Sequence, residues 1–277
     1  MRDKTLTLSI VIPAYNEAAH IQACLDSISR QIDPPDQIIV VDNNSTDSTA
    51  EIAQKYNSVS LIKESNQGLI PARNRGFDAA NGKILCRIDA DTILPPHWTR
   101  TVRQVLGSNE ADAVTGPAQF QLIPFINYAP TIITRIYFWF ALAHFRFPVL
   151  WGANMALKAE AWHEIKSLAS TEDNAVHEDQ DISLLLNLHG YTIAQLKQLT
   201  IRTDAERFWD ARKLLFYYKK LWRTLRKKQR LGRKSEQPYQ HQIHPLSAVL
   251  ILCVTIPLAL AGVLLSVPYK LMLHFKS

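Results

Sequence analysis

Runs of apolar residues separated by polar segments dominate the first ninety positions of the chain. The stretch from Leu6 to Pro13 is rich in β-branched residues and apolar on both faces, which is typical of a buried parallel strand. Residues 16–30 follow with apolar positions at helical spacing, and residues 37–41 form a second apolar run. The pattern therefore predicts a strand, a helix and a second strand, which begin a βαβ unit.

The same alternation continues along the chain. Strands are predicted at residues 59–63 and 83–88, and helices at residues 49–56 and 70–80. Elements that alternate in this way form a mostly parallel sheet with helices on both faces. The predicted fold class is α/β with a Rossmann-like layout.

Polar side chains follow the predicted strands, at the points where ligands bind in open parallel sheets. These positions hold Asn16, Glu17, Asp42, Asn66, Asp89 and Asp91. The sequence contains neither of the glycine-rich motifs that bind phosphate in dinucleotide-binding and P-loop proteins. A nucleotide bound at this edge would therefore need a metal ion to hold its phosphates.

Asp89 and Asp91 lie two residues apart at the end of a predicted strand. Hard carboxylate oxygens suit Mg²⁺ or Mn²⁺ shared with a diphosphate. Two aspartates at this spacing also occur at solvated strand ends without a function. The pair alone leaves both interpretations open.

Positive charge is concentrated in one segment of the chain. Nine cations and no acid lie between Lys219 and Lys234, whereas the other 22 cations are outnumbered by 25 acids. This distribution argues against a general nucleic-acid-binding surface. Cys24, Cys86 and Cys253 are too widely spaced for a disulfide framework or a zinc motif, which favours a reducing compartment.

The C-terminal part contains a charge-free stretch from Pro245 to Tyr269. About 20 apolar residues span a bilayer core, so residues 245–268 are predicted to form one transmembrane helix. The cations before it far outnumber those after it, which predicts that the N-terminal α/β domain (residues 1–210) lies in the cytoplasm. Residues 211–244 would be a basic juxtamembrane segment at the cell membrane. A C-terminal core helix is the alternative.

Aromatic residues are crowded between Phe120 and Trp151. Ten of the chain's 25 aromatics lie there, and Arg135 and Arg146 are the only charged residues of the segment. Two interpretations stay open: an inserted pair of core helices, or a surface that faces lipid or an apolar acceptor.

Several of these residues belong to motifs whose order and spacing are those of family 2 glycosyltransferases. The motifs are Ser9–Glu17, Val41–Asp47, Asn66–Gly68, Ala72–Gly76, Asp89–Asp91, Gly152–Lys158 and His177–Ile182. The chain resembles the membrane-anchored bacterial type of this family over residues 6 to 207. The resemblance implies a GT-A fold, a nucleoside-diphosphate sugar donor, a Mg²⁺ or Mn²⁺ cofactor and inversion at the anomeric carbon.

The resemblance also implies roles for individual residues. The donor-binding residues would be Pro13, Ala14, Tyr15, Glu17, Asp42, Arg73, Asp89 and Arg207. Asp91 would bind the metal, and Asp179 would act as the general base that takes a proton from the acceptor hydroxyl. The structural alternative for the acids at positions 178–181 is a favourable interaction with a helix dipole.

The chain departs from the family pattern at a few positions. Asn43 and Asn44 replace the usual Asp-Gly pair, which is tolerable because asparagine enters the left-handed region more readily than most residues. Leu185 stands where the family commonly has arginine, and residues 203–207 match the usual Ser-x-x-Arg element only faintly. The Gln-x-x-Arg-Trp motif of processive synthases is missing, so one sugar per encounter is expected.

The acceptor would be a hydroxyl on a lipid-linked or other membrane-associated glycan. The alternative within the family is a polyprenyl-phosphate sugar transferase, whose acceptor phosphate needs little deprotonation. Outside it, a nucleotidyltransferase would need a glycine-rich loop after the first strand, which is absent. A catalytically inactive membrane scaffold is the third possibility. Such a scaffold would not be expected to keep carboxylates at all four of the positions Asp42, Asp89, Asp91 and Asp179.

Overall fold

A central sheet organises the protein. The computed structural model describes residues 6–121, 130–173 and 175–204 together with Lys220, Arg223, Thr224, Arg226 and Lys227. The strands are β1 (Leu8–Ala14), β2 (Gln37–Asp42), β3 (Val59–Lys63), β4 (Ile84–Ile88), β5 (Ala113–Thr115), β6 (Ala118–Gln121), β7 (Asn154–Lys158), β8 (Ile193–Gln195) and β9 (Ile201–Asp204). Seven of these described strands form the central sheet, in the order β3-β2-β1-β4-β7-β5-β8, and β6 pairs with β9. Within the central sheet β7 alone runs antiparallel to its neighbours, so the prediction of a mostly parallel sheet is confirmed.

Helices connect the strands. They are α1 (Ile21–Ser29), α2 (Thr49–Gln54), α3 (Leu69–Ala79), α4 (Trp98–Gly107), α5 (Pro130–Phe145), α6 (Ala159–Ile165) and α7 (Glu178–Leu188), with one 3-10 turn at Lys197–Leu199. The chain moves from β1 to β3 in one direction and then crosses back to β4. Because such crossovers are right-handed, α1 and α2 cover one face of the sheet and α3 covers the other. The order reverses between β1 and β4, which is where ligands bind in such sheets.

Close packing holds α3 against the sheet. A Cβ atom on Gly76 would lie 2.2 Å from Cγ1 of Val11 in β1 and 3.0 Å from Cγ2 of Val41 in β2. Only glycine therefore allows α3 to approach the two strands this closely. Phe77, the next residue, packs edge-on against the ring of Trp162, with ring centroids 5.1 Å apart. Burial of each large apolar side chain contributes about 1.5–3 kcal/mol to stability.

The start of the first helix differs from the sequence prediction. A helix was predicted from residue 16, whereas α1 begins at Ile21, so the first five predicted positions were wrong. Asn16 has a φ of 55°, in the left-handed region that an α-helix excludes. The backbone N–H groups of Glu17 and Ala18 donate to the side chains of Thr49, at the start of α2, and Asp47, in the β2–α2 loop, instead of helical carbonyls. Tertiary hydrogen bonds thus compete successfully with helix formation here.

Several predictions concern residues outside the described part. Arg207 and the proposed transmembrane helix at residues 245–268 both lie there. Among the helices that the structure describes, none combines the length and the apolar character needed to cross a bilayer. The chain divides into one unit up to Thr203 and a second from Asp204 onward. The domain boundaries predicted at residues 210 and 244 stay predictions.

Candidate active site

The carboxyl ends of β1 and β2 form one side of the site. Ala14 and Asp42 are direct partners in the last register position of the two strands. Asp42 accepts a hydrogen bond from the backbone N–H of Ser45 (3.2 Å), which orients its carboxylate. The side chains of Pro13 and Ala14 are buried inside β1, whereas half of Tyr15 is exposed. Tyr15 is therefore the first side chain of this motif that is open to a ligand.

Asn43 organises the loop beside Asp42. Its amide nitrogen donates to the carbonyls of Glu64 (2.9 Å) and Asn66 (2.8 Å), and its oxygen accepts from the N–H of Gly68 (2.7 Å). Asn44 adopts a φ of 65°, so its acceptance of the left-handed region is confirmed. The Asn-Asn pair thus connects β2 to the β3–α3 loop.

Asp173 caps the helix that carries Arg73. Its Oδ1 accepts a hydrogen bond from the backbone N–H of Ile70 (2.6 Å), in the first turn of α3. The Cγ atom of Asp173 also lies 3.0 Å from where a Cβ on Gly68 would be. The contact joins positions 103 residues apart and fixes the start of α3 against the segment that precedes α7. No local sequence signal indicated it.

The D-x-D pair lies at the end of β4, near the start of α1. Asp89 and Asp91 are each less than a tenth exposed. The thiol of Cys24 contacts the carbonyl oxygen of Asp89 at 3.7 Å. Burial, and then the nearby carboxylates of Asp91, Asp89 and Glu17, raise the pKa of that thiol. Glu17 therefore shares this side of the site with the pair, as the sequence predicted for polar residues after β1 and β4.

Arg87 of β4 connects the D-x-D pair to the acidic start of α7. It is 1% exposed; its Nη2 pairs with Oδ1 of Asp89, and its Nη1 donates to Oε1 of Glu178 at 2.9 Å. No role was predicted for Arg87 from the sequence. A single cation in the otherwise apolar strand Ile84–Ile88 was the available signal, because a buried arginine requires partners.

Arg73 extends this buried network on the other side of Glu178. Its Nη1 lies 3.5 Å from Oε2 of Glu178 and 3.3 Å from the carbonyl oxygen of the same residue. Its guanidinium also donates to Asn74 and stands over the ring of Trp162, 5.5 Å from the centroid. Arg73 is buried among protein groups in this structure, and direct contact with a donor stays a prediction.

Asp179 is held in one orientation by two backbone N–H groups. Gly152 donates to its Oδ2 (3.1 Å) and Gln180 donates to its Oδ1 (2.7 Å). Burial raises the pKa of Asp179, and these hydrogen bonds partly oppose the rise. A carboxylate with a raised pKa is a stronger base than an ordinary aspartate. The geometry therefore suits Asp179 for taking a proton.

Gly152 lies between the β4 strand that carries the D-x-D motif and the acidic motif at the start of α7. A Cβ at this position would lie 1.9 Å from Nη1 of Arg87 and 2.5 Å from Oε1 of Glu178. The backbone of Gly152 therefore lies directly against this ion pair, while its N–H holds Asp179. Burial raises the pKa of Glu178 and Arg87 opposes the rise, which is the balance expected for a buried, paired carboxylate.

An aromatic cluster borders Asp179. The side-chain amide of Gln180 donates to the hydroxyl of Tyr137 on α5 (3.1 Å), and the ring of Tyr137 packs edge-on against Trp151 with centroids 5.1 Å apart. The same helix exposes Ile136, Trp139 and Leu142 to solvent. One side of α5 thus joins the acidic motif, and another presents an apolar surface.

The chemistry of the D-x-D carboxylates fits a hard divalent cation. Within the described ranges no three His, Cys, Asp or Glu side chains are grouped so as to hold a metal on their own. Mg²⁺ is commonly bound by one or two carboxylates, with the remaining positions supplied by substrate phosphates and water. Asp89 and Asp91 match such a shared site, whereas a closed, all-protein site is not formed by these residues.

Comparisons with solved structures show the same fold. A mannosyltransferase from Pyrobaculum calidifontis in complex with GDP-Man and Mn²⁺ superposes with a TM-score of 0.66 at 21% identity, over 98% of this chain and 79% of that one. Glucosyl-3-phosphoglycerate synthase from Mycobacterium tuberculosis, in complex with Mn²⁺, UDP and phosphoglyceric acid, gives a TM-score of 0.59 at 20% identity, over 80% and 78% of the two chains. These likenesses confirm a GT-A-like fold.

The sequence relatives are named as glycosyltransferases, and the match covers only part of each of them. Glycosyltransferase AglE of Haloferax volcanii is 34% identical over 120 residues, which are 41% of this chain and 40% of that protein. The probable glycosyltransferase YdaM of Bacillus subtilis is 30% identical over 210 residues, 67% of this chain and 48% of that protein. The chain matches less than half the length of either relative.

Two family models match most of the chain between them. The model of glycosyl transferase family 2 matches residues 9–158, and the model of glycosyl transferase family group 2 matches residues 84–275. The first covers six of the motifs from which the resemblance was drawn, and the second also covers the acidic motif at the start of α7. The chain therefore belongs to glycosyl transferase family 2.

Proposed function

We propose that this protein transfers one sugar per encounter from a nucleoside-diphosphate sugar to a hydroxyl acceptor, with inversion at the anomeric carbon. The observation that carries the proposal is the placement of Asp179. Two N–H groups orient its carboxylate, and the buried Arg87–Glu178 pair joins its helix to the D-x-D strand. A base beside a donor site is what an inverting transfer to a hydroxyl requires.

The donor side would use the carboxyl edge of β1, β2 and β4. Asp42 would accept a hydrogen bond from the nucleotide base, Tyr15 and Glu17 would border the nucleotide, and Asp89 would contact the ribose. Asp91, with Asp89, would hold Mg²⁺ or Mn²⁺. A bound cation of this kind stabilises the charge that develops on the leaving diphosphate. Support comes from the fold neighbours in complex with Mn²⁺ and a nucleotide.

The acceptor side would be formed around Asp179. The acceptor hydroxyl would approach an oxygen of Asp179 and lose its proton to it as the oxygen attacks the anomeric carbon. The backbone N–H groups of Gly152 and Gln180 keep the carboxylate in a fixed orientation during this step. A positioned base of this kind typically accelerates the reaction by about 10²–10⁴-fold.

The acceptor is proposed to be a lipid-linked or membrane-associated glycan. The exposed apolar side chains of α5 support this proposal, because the same helix contacts Gln180 through Tyr137. Attachment through one helix at residues 245–268, with the catalytic domain in the cytoplasm, rests on the sequence alone: nine cations precede that stretch. The same α5 surface also favours the alternative acceptor, a polyprenyl phosphate.

Incubation of membranes that contain the full chain with a panel of nucleotide sugars and Mn²⁺ tests the proposal. Release of one nucleoside diphosphate, dependent on both the metal and an endogenous lipid extract, is the expected result. Asp91→Asn should abolish the release, whereas the exposed Glu51→Gln variant should retain it. Absence of release from every donor would reject the proposed function. Alkali-stable, phosphate-free linkage of the sugar would favour the hydroxyl acceptor over polyprenyl phosphate.

A further inference from the structure

One buried side chain contacts both halves of the site. The Arg87 guanidinium uses Nη2 for Asp89 on the donor side and Nη1 for Glu178, the residue before Asp179. We propose that Arg87 is a positioning residue through which occupation of the donor side fixes the orientation of Asp179. The proposal rests on the proposed function and adds a role for a residue that touches neither reactant.

The geometry gives Arg87 little freedom. It stands in the fully buried strand β4 and is itself 1% exposed. A guanidinium is a rigid planar fork, so a shift of the carboxylate on one prong changes the position of the other prong. The Glu178 carboxylate on that second prong belongs to the first residue of α7. A displacement at Asp89 is therefore transmitted to the start of the helix that carries Asp179.

Gly152 provides a second connection to the same carboxylate. Its backbone lies so close to the ion pair that a Cβ would overlap Nη1 of Arg87. Its N–H donates to Oδ2 of Asp179 at 3.1 Å. Any movement of the Arg87–Glu178 pair therefore changes the space available to Gly152, and with it one of the two hydrogen bonds that aim Asp179.

Stability alone is a weak explanation for this arrangement. Apolar residues of similar volume often replace a buried ion pair without loss of stability. Arg103 offers a comparison, since it also lies between two carboxylates, at 2.5 Å from Asp33 and 2.6 Å from Asp36. Those acids precede β2 and lie at the opposite ends of the strands from the site. A merely structural arginine is thus available as a matched control.

Coupling of this kind is reciprocal and measurable without turnover. UDP or GDP with Mn²⁺ serves as the donor-side probe. Hydrogen–deuterium exchange at the amides of Gly152 and Gln180 reports how often their hydrogen bonds to Asp179 open. If these amides exchange only when the probe has dissociated, a probe concentration 100 times Kd slows their exchange by about 100-fold. This slowing is expected in the full-length native chain and in Arg103→Met. It should be absent from Arg87→Met and Glu178→Met, although both variants still bind the probe.

Each outcome decides the proposal. Slowing that persists in Arg87→Met or Glu178→Met would overturn it, as would probe binding without slowing in the native chain. If Arg87→Met does not fold, Glu178→Met decides alone, because it keeps the Arg87–Asp89 contact and nearly the same volume. If none of ADP, CDP, GDP, dTDP and UDP binds the native chain with Mn²⁺, the proposed function fails first and the positioning role fails with it.

Discussion

The backbone N–H of Gly152 donates a hydrogen bond to Oδ2 of Asp179 across 27 positions of sequence. Gly152 stands just before β7, the one antiparallel strand among those described in the central sheet, and Asp179 stands in the first turn of α7. The antiparallel strand brings this backbone beside β4 and thus beside the D-x-D motif. The orientation of the proposed base therefore depends on the insertion of β7 into an otherwise parallel sheet.

Gly152→Ala is expected to destabilise the protein strongly. The new Cβ would overlap Arg87 and Glu178, and rupture of a buried ion pair costs about 3–5 kcal/mol. Chemical denaturation of the full chain measures the change in the free energy of unfolding. Gly107→Ala is the control, because its Cβ would meet only Leu6 at 3.4 Å and should cost nothing. Equal stability of the two variants would show that the contact at Gly152 is not tight.

Asp173→Ala should remove the cap of α3. Loss of the hydrogen bond to the N–H of Ile70 is expected to cost about 0.5–2 kcal/mol. Asp78→Ala, in the same helix, removes only a half-exposed pair with Lys166 and should cost about 0.2–1 kcal/mol. Thermal unfolding compares the two variants. A larger effect at Asp78 would contradict the capping role.

The Tm of Asp179→Asn relative to that of the native chain should rise from acid to pH 7. Burial raises the folded-state pKa of Asp179, so its stabilising contribution is complete below the unfolded-state value and is lost as pH rises through the folded-state value. The uncharged asparagine has no such contribution to lose, and its loss of one acceptor for the two N–H groups does not vary with pH. Thermal scans from pH 3 to pH 8 measure the relative Tm.

Asp112→Asn is the control for that experiment, because the pKa shift of Asp112 has the opposite direction. Burial acts against ionisation of Asp112, but hydrogen bonds from Thr192 and Lys158 outweigh it and lower the pKa. Its contribution is present above the unfolded-state pKa and is lost as pH falls through the folded-state value. The Tm of Asp112→Asn should therefore be below that of the native chain at pH 7. A relative Tm that falls from acid to pH 7 in both variants would contradict the raised pKa of Asp179.

Removal of the metal should weaken nucleotide binding reversibly. If Asp91 holds the cation, excess EDTA and Asp91→Asn should each eliminate the Mn²⁺-dependent part of UDP or GDP affinity, and added Mn²⁺ should rescue only the chelated native chain. Isothermal titration measures both effects. Undiminished affinity in EDTA would exclude a metal-bridged diphosphate.

Local pattern predicted the first half of the fold well and its site only in part. β1 to β4 were predicted because each is a short apolar run, and their parallel order placed Asp42 and Asp89 at one edge. The start of α1 could not be predicted, since Asn16 is held in the left-handed region by the β2–α2 loop. The residues of β7 contain no pattern that would predict its antiparallel direction.

Long-range contacts account for the rest of the site. Arg87 and Glu178 are 91 positions apart, so neither periodicity nor spacing relates them. The cap of α3 by Asp173 is equally non-local. The family motifs predicted functional residues on both sides of the site, whereas the ion pair between the two sides became visible only in three dimensions.

The most direct test of the proposed mechanism is the effect of Asp179→Asn on turnover and on nucleotide affinity, measured side by side. Asparagine keeps the size of the side chain and one of its two acceptor oxygens, but it cannot take a proton. With the donor found in the panel, kcat should fall by about 10²–10⁴-fold while the Kd for that nucleoside diphosphate with Mn²⁺ stays unchanged. Asp42→Asn should show the reverse balance, with weaker nucleotide binding and a smaller loss of kcat. An unchanged kcat in Asp179→Asn, or a loss of nucleotide affinity as large as the loss of turnover, would contradict the assignment of Asp179 as the base.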